Sequence, residues 1–128
     1  MRLFGLLVMA TLLSGCMLIS GEQTTSDSQS NGGNVSTTFV GAEGATDRFL
    51  ATGGSGQVTV LAILGESSGK LRLEVVAPDE AVVFALDAVP DQQISRSARV
   101  ATDSQGRLHY RIMAQGARNG TLQLLYQR

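Results

Sequence analysis

Gln57-Val58-Thr59-Val60-Leu61-Ala62-Ile63-Leu64, followed shortly by Lys70-Leu71-Arg72-Leu73-Glu74-Val75, decides the fold class of this 128-residue chain. The first run is rich in β-branched residues and nearly continuously apolar, as in a strand lying deep in a sandwich. The second alternates strictly, which sends Leu71, Leu73 and Val75 to one face and Arg72 and Glu74 to the other. Gly65-Glu66-Ser67-Ser68-Gly69 lies between them and reads as a hairpin loop rich in turn formers.

Working outward, Pro78-Asp79-Glu80 is a turn, because proline presets φ and removes a ladder donor. A further apolar run, Val82 to Leu86, follows. Near the end, Leu108, Tyr110, Ile112 and Ala114 share a face. Gln115 to Gly120 is then expected to reverse the chain, and Leu122, Leu124 and Tyr126 return to the same core as a hairpin. Strands are expected near 38–42, 47–52, 57–64, 70–77, 81–87, 93–101, 107–114 and 121–127. The spacing predicts an all-β chain: a small antiparallel β-sandwich, Ig-like or jelly-roll-like, of about seven to eight strands. Residues 37–128 suffice for one core and leave no room for a second domain.

Upstream, Gly21 to Ser36 is almost entirely Gly, Ser, Thr, Asn, Gln and acids. Such a segment buries too little apolar surface to offset its chain entropy, so residues 16–36 are expected to form a flexible tether. A tether of this length reaches ~20–25 Å. Residues 1–15 have the order of a signal peptide: a cationic Arg2, an apolar run from Leu3 to Leu12, and small residues at Ser14 and Gly15. The sole cysteine, Cys16, comes next.

Leu13-Ser14-Gly15-Cys16 resembles the lipobox of bacterial lipoproteins. The resemblance implies a diacylglyceryl group on the Cys16 sulfur, cleavage before it, and acylation of the freed amine with a palmitate-like chain. One acyl chain holds only marginally, at roughly 0.8 kcal/mol per buried methylene, so two or more make a stable anchor. The implied location is the extracytoplasmic face of the cell membrane or the outer membrane. Met17 rather than aspartate follows the cysteine, which favours the outer membrane where there are two. The rival readings are a secretory signal with an incidental Cys16, and an uncleaved helix from Leu3 to about Ile19. That helix would be short for a span and is interrupted by Ser14, Gly15 and Ser20. A single cysteine permits no internal disulfide, so packing alone must stabilise the domain. Loss of Arg2 with residues 1–15 moves the formal net charge from −1 to −2, which gives no nucleic-acid signal.

A second likeness lies in the body of the chain. The stretch from Gly53 to Phe84, with the ending Leu108-His109-Tyr110-Arg111-Ile112 through Asn119-Gly120-Thr121-Leu122-Gln123-Leu124, resembles bacterial pre-peptidase C-terminal β-sandwiches over residues 47–127. These are accessory modules of secreted proteins. The likeness is one of pattern, and the tryptophan common in such modules is missing here. It implies an accessory or binding role and carries over no catalytic residue.

The chemistry-bearing residues are sparse. Gly65-Glu66-Ser67-Ser68-Gly69 matches G-x-S-x-G in letters, but a nucleophile elbow needs a strand-to-helix junction and this one joins two strands. His109, the lone histidine, is expected on the solvent face between Arg107 and Arg111, without a carboxylate partner or a second metal ligand. Asp79, Glu80, Asp87 and Asp91 lack the dense spacing of a calcium loop and read as turn-makers, so no metal is expected. Asn34-Val35-Ser36 and Asn119-Gly120-Thr121 match a glycosylation pattern, but fall in the expected tether and hairpin turn respectively. Arginines crowd the C-terminal third. Arg99, Arg107 and Arg111 are the candidate anion-binding residues if the Arg99 strand neighbours the other two. The whole implies a lipid-anchored envelope protein presenting a non-catalytic β-sandwich as a binding or structural module, not an enzyme, with no cofactor and no nucleic-acid partner. The alternatives are an accessory subunit of an envelope transporter or secreted hydrolase, and a module binding an anionic cell-wall polymer.

Overall fold

The alternating faces and turn signals resolve into eight antiparallel strands in the computed structural model, which describes residues 17–128. They are β1 (Leu18–Ser20), β2 (Gln23–Gln29), β3 (Gly32–Ala51), β4 (Gln57–Gly65), β5 (Ser68–Val76), β6 (Val82–Asp87), β7 (Ile94–Ala101) and β8 (Arg107–Gln127). The all-β class and the antiparallel sandwich are as the sequence predicts. Among the described residues no helix is long and apolar enough to cross a membrane.

Two strands of about twenty residues organise the molecule. β3 and β8 pair from Gly32↔Gln127 to Ala51↔Arg107, with a shift in register between Ala42 and Gly44. On either side of that shift they belong to different layers. The first half of β8 pairs with β5, and β5 with β6. The second half pairs with β4, and β4 with β7. Long strands that bend from one sheet into the other close a sandwich at its corner. The inner faces supply one core, with Val58, Val60, Ala62 and Leu64 from β4 and Leu71, Leu73 and Val75 from β5. β8 adds Leu108, Tyr110, Ile112, Leu122, Leu124 and Tyr126.

The expected hairpin at 115–120 is not there. Gly116 and Asn119 do adopt left-handed backbone, with φ of 58° and 50°, but the strand runs on through them. Buried positions at Ala114, Ala117, Gly120 and Leu122 are three, three and then two residues apart. The register slips once, across Gln115–Ala117, where β8 carries one residue more than β3 and β5; that bulge bends the strand and keeps its apolar side inward. Residues that elsewhere form turns here bend a continuous strand instead of reversing it. The expected pair 38–42 and 47–52 is likewise one strand, β3.

The tether is also corrected. β1 pairs with β3 at Gly41–Glu43, and all of β2 pairs with Gly32–Thr38. Every residue of β2 is exposed. A polar segment with no core contribution is held here by ladder hydrogen bonds and by cross-strand contacts such as Thr24 with Thr37, 3.0 Å apart. Asn34-Val35-Ser36 therefore lies in β3, with Val35 in the core. A smaller correction concerns β4, whose residues alternate between buried and exposed so that Leu61 is 37 % exposed. Its outer face meets solvent.

At one end of the sandwich two loops clasp each other. Ala51-Thr52-Gly53-Gly54-Ser55-Gly56 and Ala101-Thr102-Asp103-Ser104-Gln105-Gly106 share an Ala-Thr-x-x-x-Gly pattern. The buried Thr52 hydroxyl donates to the Gly106 carbonyl at 2.7 Å, and the buried Thr102 hydroxyl donates to the Gly56 carbonyl at 2.9 Å. Arg128 Nη2 adds bonds to the Thr52 carbonyl at 2.9 Å and to its hydroxyl at 3.0 Å, tying down the C-terminus.

Candidate functional site

The outer face of the β6–β5–β8–β3 layer carries a ribbon of charge set by strand register. Arg72 faces Asp87 across β5 and β6, Glu74 faces Arg111 across β5 and β8, and Asp47 faces Arg111 across β3 and β8. The ion pairs follow directly: Arg72 to Asp87 at 2.8 Å and to Glu74 at 3.0 Å, and Arg111 to Glu74 at 3.0 Å and to Asp47 at 2.9 Å. Each acid thus meets an arginine on the neighbouring strand.

His109 lies one step along β8. Its Nε2 is 2.8 Å from Asp47 Oδ1, and its ring stacks on Phe49 with centroids 4.6 Å apart. An ionised carboxylate only accepts, so Nε2 carries the proton. The bond from His109, then that from Arg111, holds the Asp47 carboxyl below its ordinary pKa against the desolvation that raises it. The expectation that His109 lacks a carboxylate partner is therefore corrected. No short motif could have given it, because Asp47 approaches only through the β3–β8 register. Arg107 lies over the same Phe49 ring at 4.6 Å and also bonds Asp103 through Nε at 2.9 Å. The Arg107 backbone N–H, chiefly, holds the Asp103 carboxyl below its ordinary pKa. Phe49 is 49 % exposed, yet the imidazole and the guanidinium both lie against its ring. That arrangement favours an internally satisfied surface over a platform for stacking a sugar.

The three candidate anion-binding residues do not meet. Arg107 and Arg111 belong to the ribbon and are engaged by Asp103, Asp47 and Glu74. Arg99 lies on β7, which pairs with β4 and not with β8, and it bonds Gln57 at 3.3 Å. It faces out from the opposite layer. Cys16 lies outside the described residues.

The other candidates resolve as follows. Gly65-Glu66-Ser67-Ser68-Gly69 does join two strands, as read. The Ser67 hydroxyl donates to the Arg118 carbonyl at 3.1 Å and accepts from Asn119 Nδ2 at 3.0 Å, away from His109. Asp79 caps its turn by accepting from the Ala81 N–H, and Asp87 is paired with Arg72. Among the described residues no three His, Cys, Asp or Glu side chains come together as a metal site.

A groove of about 850 Å³ crosses the same layer at the bend, lined by Leu18, Ala45, Lys70, Arg72, Ala88 and Met113 among others. Its floor reaches the core residues Leu71 and Ala114. Sequence reasoning missed it, because it forms only where the bulge in β8 shifts the register against β3 and β5.

No family model matches the chain, and neither does any curated protein. Among solved structures it is similar to a protein of Bacillus endospore appendages, disulfide-linked pili, at 12 % identity and TM-score 0.47, covering 90 % of this chain and 96 % of that one. It is similar to the C-terminal CBM6 of a laminarinase from Zobellia galactanivorans, at 13 % identity and TM-score 0.39, covering 88 % and 100 %. Oxalate oxidase is a third, at 8 % identity and TM-score 0.49, covering 84 % of this chain and 51 % of that one. At these levels no role transfers, and the fold assignment rests on the strand pairing itself.

Proposed function

We propose that the chain is a lipid-anchored protein of the bacterial cell envelope, held on a membrane through Cys16, which presents its β-sandwich as a non-catalytic binding or structural module. The observation that carries this reading is the junction between anchor and domain. Leu13-Ser14-Gly15-Cys16 directly precedes Met17, and β1 begins at Leu18. Met17 and Ile19 already pack against the core. An acylated Cys16 then holds the sandwich against the membrane surface, with no flexible spacer between them. The non-catalytic part rests on the ribbon: among the described residues the His109–Asp47 pair bonds or stacks with Arg111 and Phe49 and with no hydroxyl or thiol, and Ser67 is held elsewhere.

Expression of wild type and Cys16→Ser in a bacterial host tests the anchor. The wild type should enter the detergent phase and carry added acyl mass. Cys16→Ser should accumulate as uncleaved precursor or as soluble protein without that mass. A wild type that stays with membranes yet carries no acyl mass overturns the lipid reading and leaves the apolar N-terminal segment as the anchor.

A further inference from the structure

We propose that the groove at the bend of the sandwich is the surface that rests on the lipid bilayer. The inference rests on the anchor reading and goes beyond it by assigning which face meets the membrane. Its first support is where the chain emerges. Leu18 lines the groove and is 73 % exposed, and Cys16 lies two residues upstream. Two extended residues span at most roughly 7 Å, so an acylated Cys16 brings the bilayer to the rim of the groove. Pairing of β1 with Gly41–Glu43 fixes that point on the domain, and the partly buried Ile19 pins it.

The second support is the lining. Leu18, Ala45, Ala88 and Met113 form the apolar part of the trough, which Glu43, Arg72 and Asp87 also line, and Met113 is 38 % exposed. Beneath it β3, β8, β5 and β6 run side by side, three strand spacings or roughly 14 Å across. Lys70 stands at the edge of the trough with no carboxylate partner among the described residues. An apolar strip flanked by a cation suits the headgroup–acyl boundary, where the stem of a lysine lies in the apolar layer and its ammonium reaches phosphate. Of the other charged groups in the lining, Arg72 and Asp87 are paired with each other, and the Glu43 carboxylate accepts from the Gly116 backbone N–H.

The test uses the full acylated chain. Its own cysteine is consumed as a thioether, so an introduced cysteine is the sole free thiol. Met113→Cys and Lys70→Cys place a nitroxide in the groove by two independent substitutions, and Ser104→Cys places one in the β7–β8 loop at the far end of the layer. Each protein is reconstituted in phosphatidylethanolamine–phosphatidylglycerol vesicles, its acyl mass is confirmed, and collisions with an aqueous nickel chelate and with oxygen are measured. Labels at 113 and 70 should become several-fold less accessible to nickel and more accessible to oxygen on the vesicle, while the label at 104 does not change. Acylated, vesicle-bound protein with all three labels equally open to nickel overturns the assignment and leaves the anchor standing. Absence of acyl mass overturns the anchor and this inference with it. Equal protection at 113 in the soluble Cys16→Ser protein means that a second copy covers the groove, and likewise overturns it.

Discussion

Glu66 is the residue whose environment fits its chemistry least. It is 5 % exposed, and neither carboxylate oxygen has a hydrogen-bond partner among the described residues. Burial raises its pKa above the ordinary value near 4.5. The folded protein therefore keeps this proton to higher pH than the unfolded chain does. The stabilisation is complete below about pH 4.5 and is lost as pH rises toward the raised value. Glu66→Gln keeps the shape and removes the titration. Urea midpoints from about pH 4 to 8 should show the variant gaining on wild type as pH rises, with the gap closing in acid. Parallel curves would mean that Glu66 ionises in the fold without penalty. The sequence placed Glu66 in a loop correctly, but a loop has no alternation from which to read an inward side chain. His109 and Asp47 were opaque for a related reason: 62 residues separate them, and only a register brings them together.

At the scale of elements, most strand positions were legible because one buried face imposes a period of two. The joins were not, because glycine and asparagine serve a bulge as well as they serve a turn. Gly120 makes the point. The sequence marks it as the second residue of an Asn-Gly turn, but it pairs with Phe39 in the ladder, and a Cβ there would lie 2.0 Å from the Phe39 ring. Glycine is needed to seat that ring. Gly120→Ala should cost about 1–3 kcal/mol through overpacking. The same change in a Phe39→Leu background should cost less, since the two sites share one space. Equal losses in both backgrounds, by denaturant titration, would return Gly120 to a purely backbone role. The N-terminal elements make an opposite case. β2 has no buried residue, so nothing in its composition could separate an edge strand from a tether. A protein starting at Thr37 loses β1, β2 and the Val35 core contact, whereas one starting at Met17 keeps them. The shorter protein should melt several degrees lower, and a matched melting temperature would restore the tether.

For the whole molecule, the decisive feature is that β3 and β8 belong to both layers. A sandwich of separately strung sheets can lose one sheet first. Here the second half of β8 cannot detach from β4 without pulling on the first half, which holds β5. The same architecture puts β1 and the groove at the bend, so the bend and the proposed membrane face form one mechanical unit. The fold should therefore unfold in a single cooperative step. The chain supplies its own reporters, having two tyrosines and no tryptophan. Tyr110 lies in the half of β8 paired with β5, and Tyr126 in the half paired with β4; both are buried. Tyr126→Phe leaves Tyr110 to report on one layer, and Tyr110→Phe leaves Tyr126 to report on the other. In each variant the tyrosine fluorescence transition should coincide with loss of β-structure by circular dichroism. A fluorescence transition displaced from the dichroism transition, in opposite directions for the two variants, would mean that the layers unfold separately and that the shared strands break at the bend.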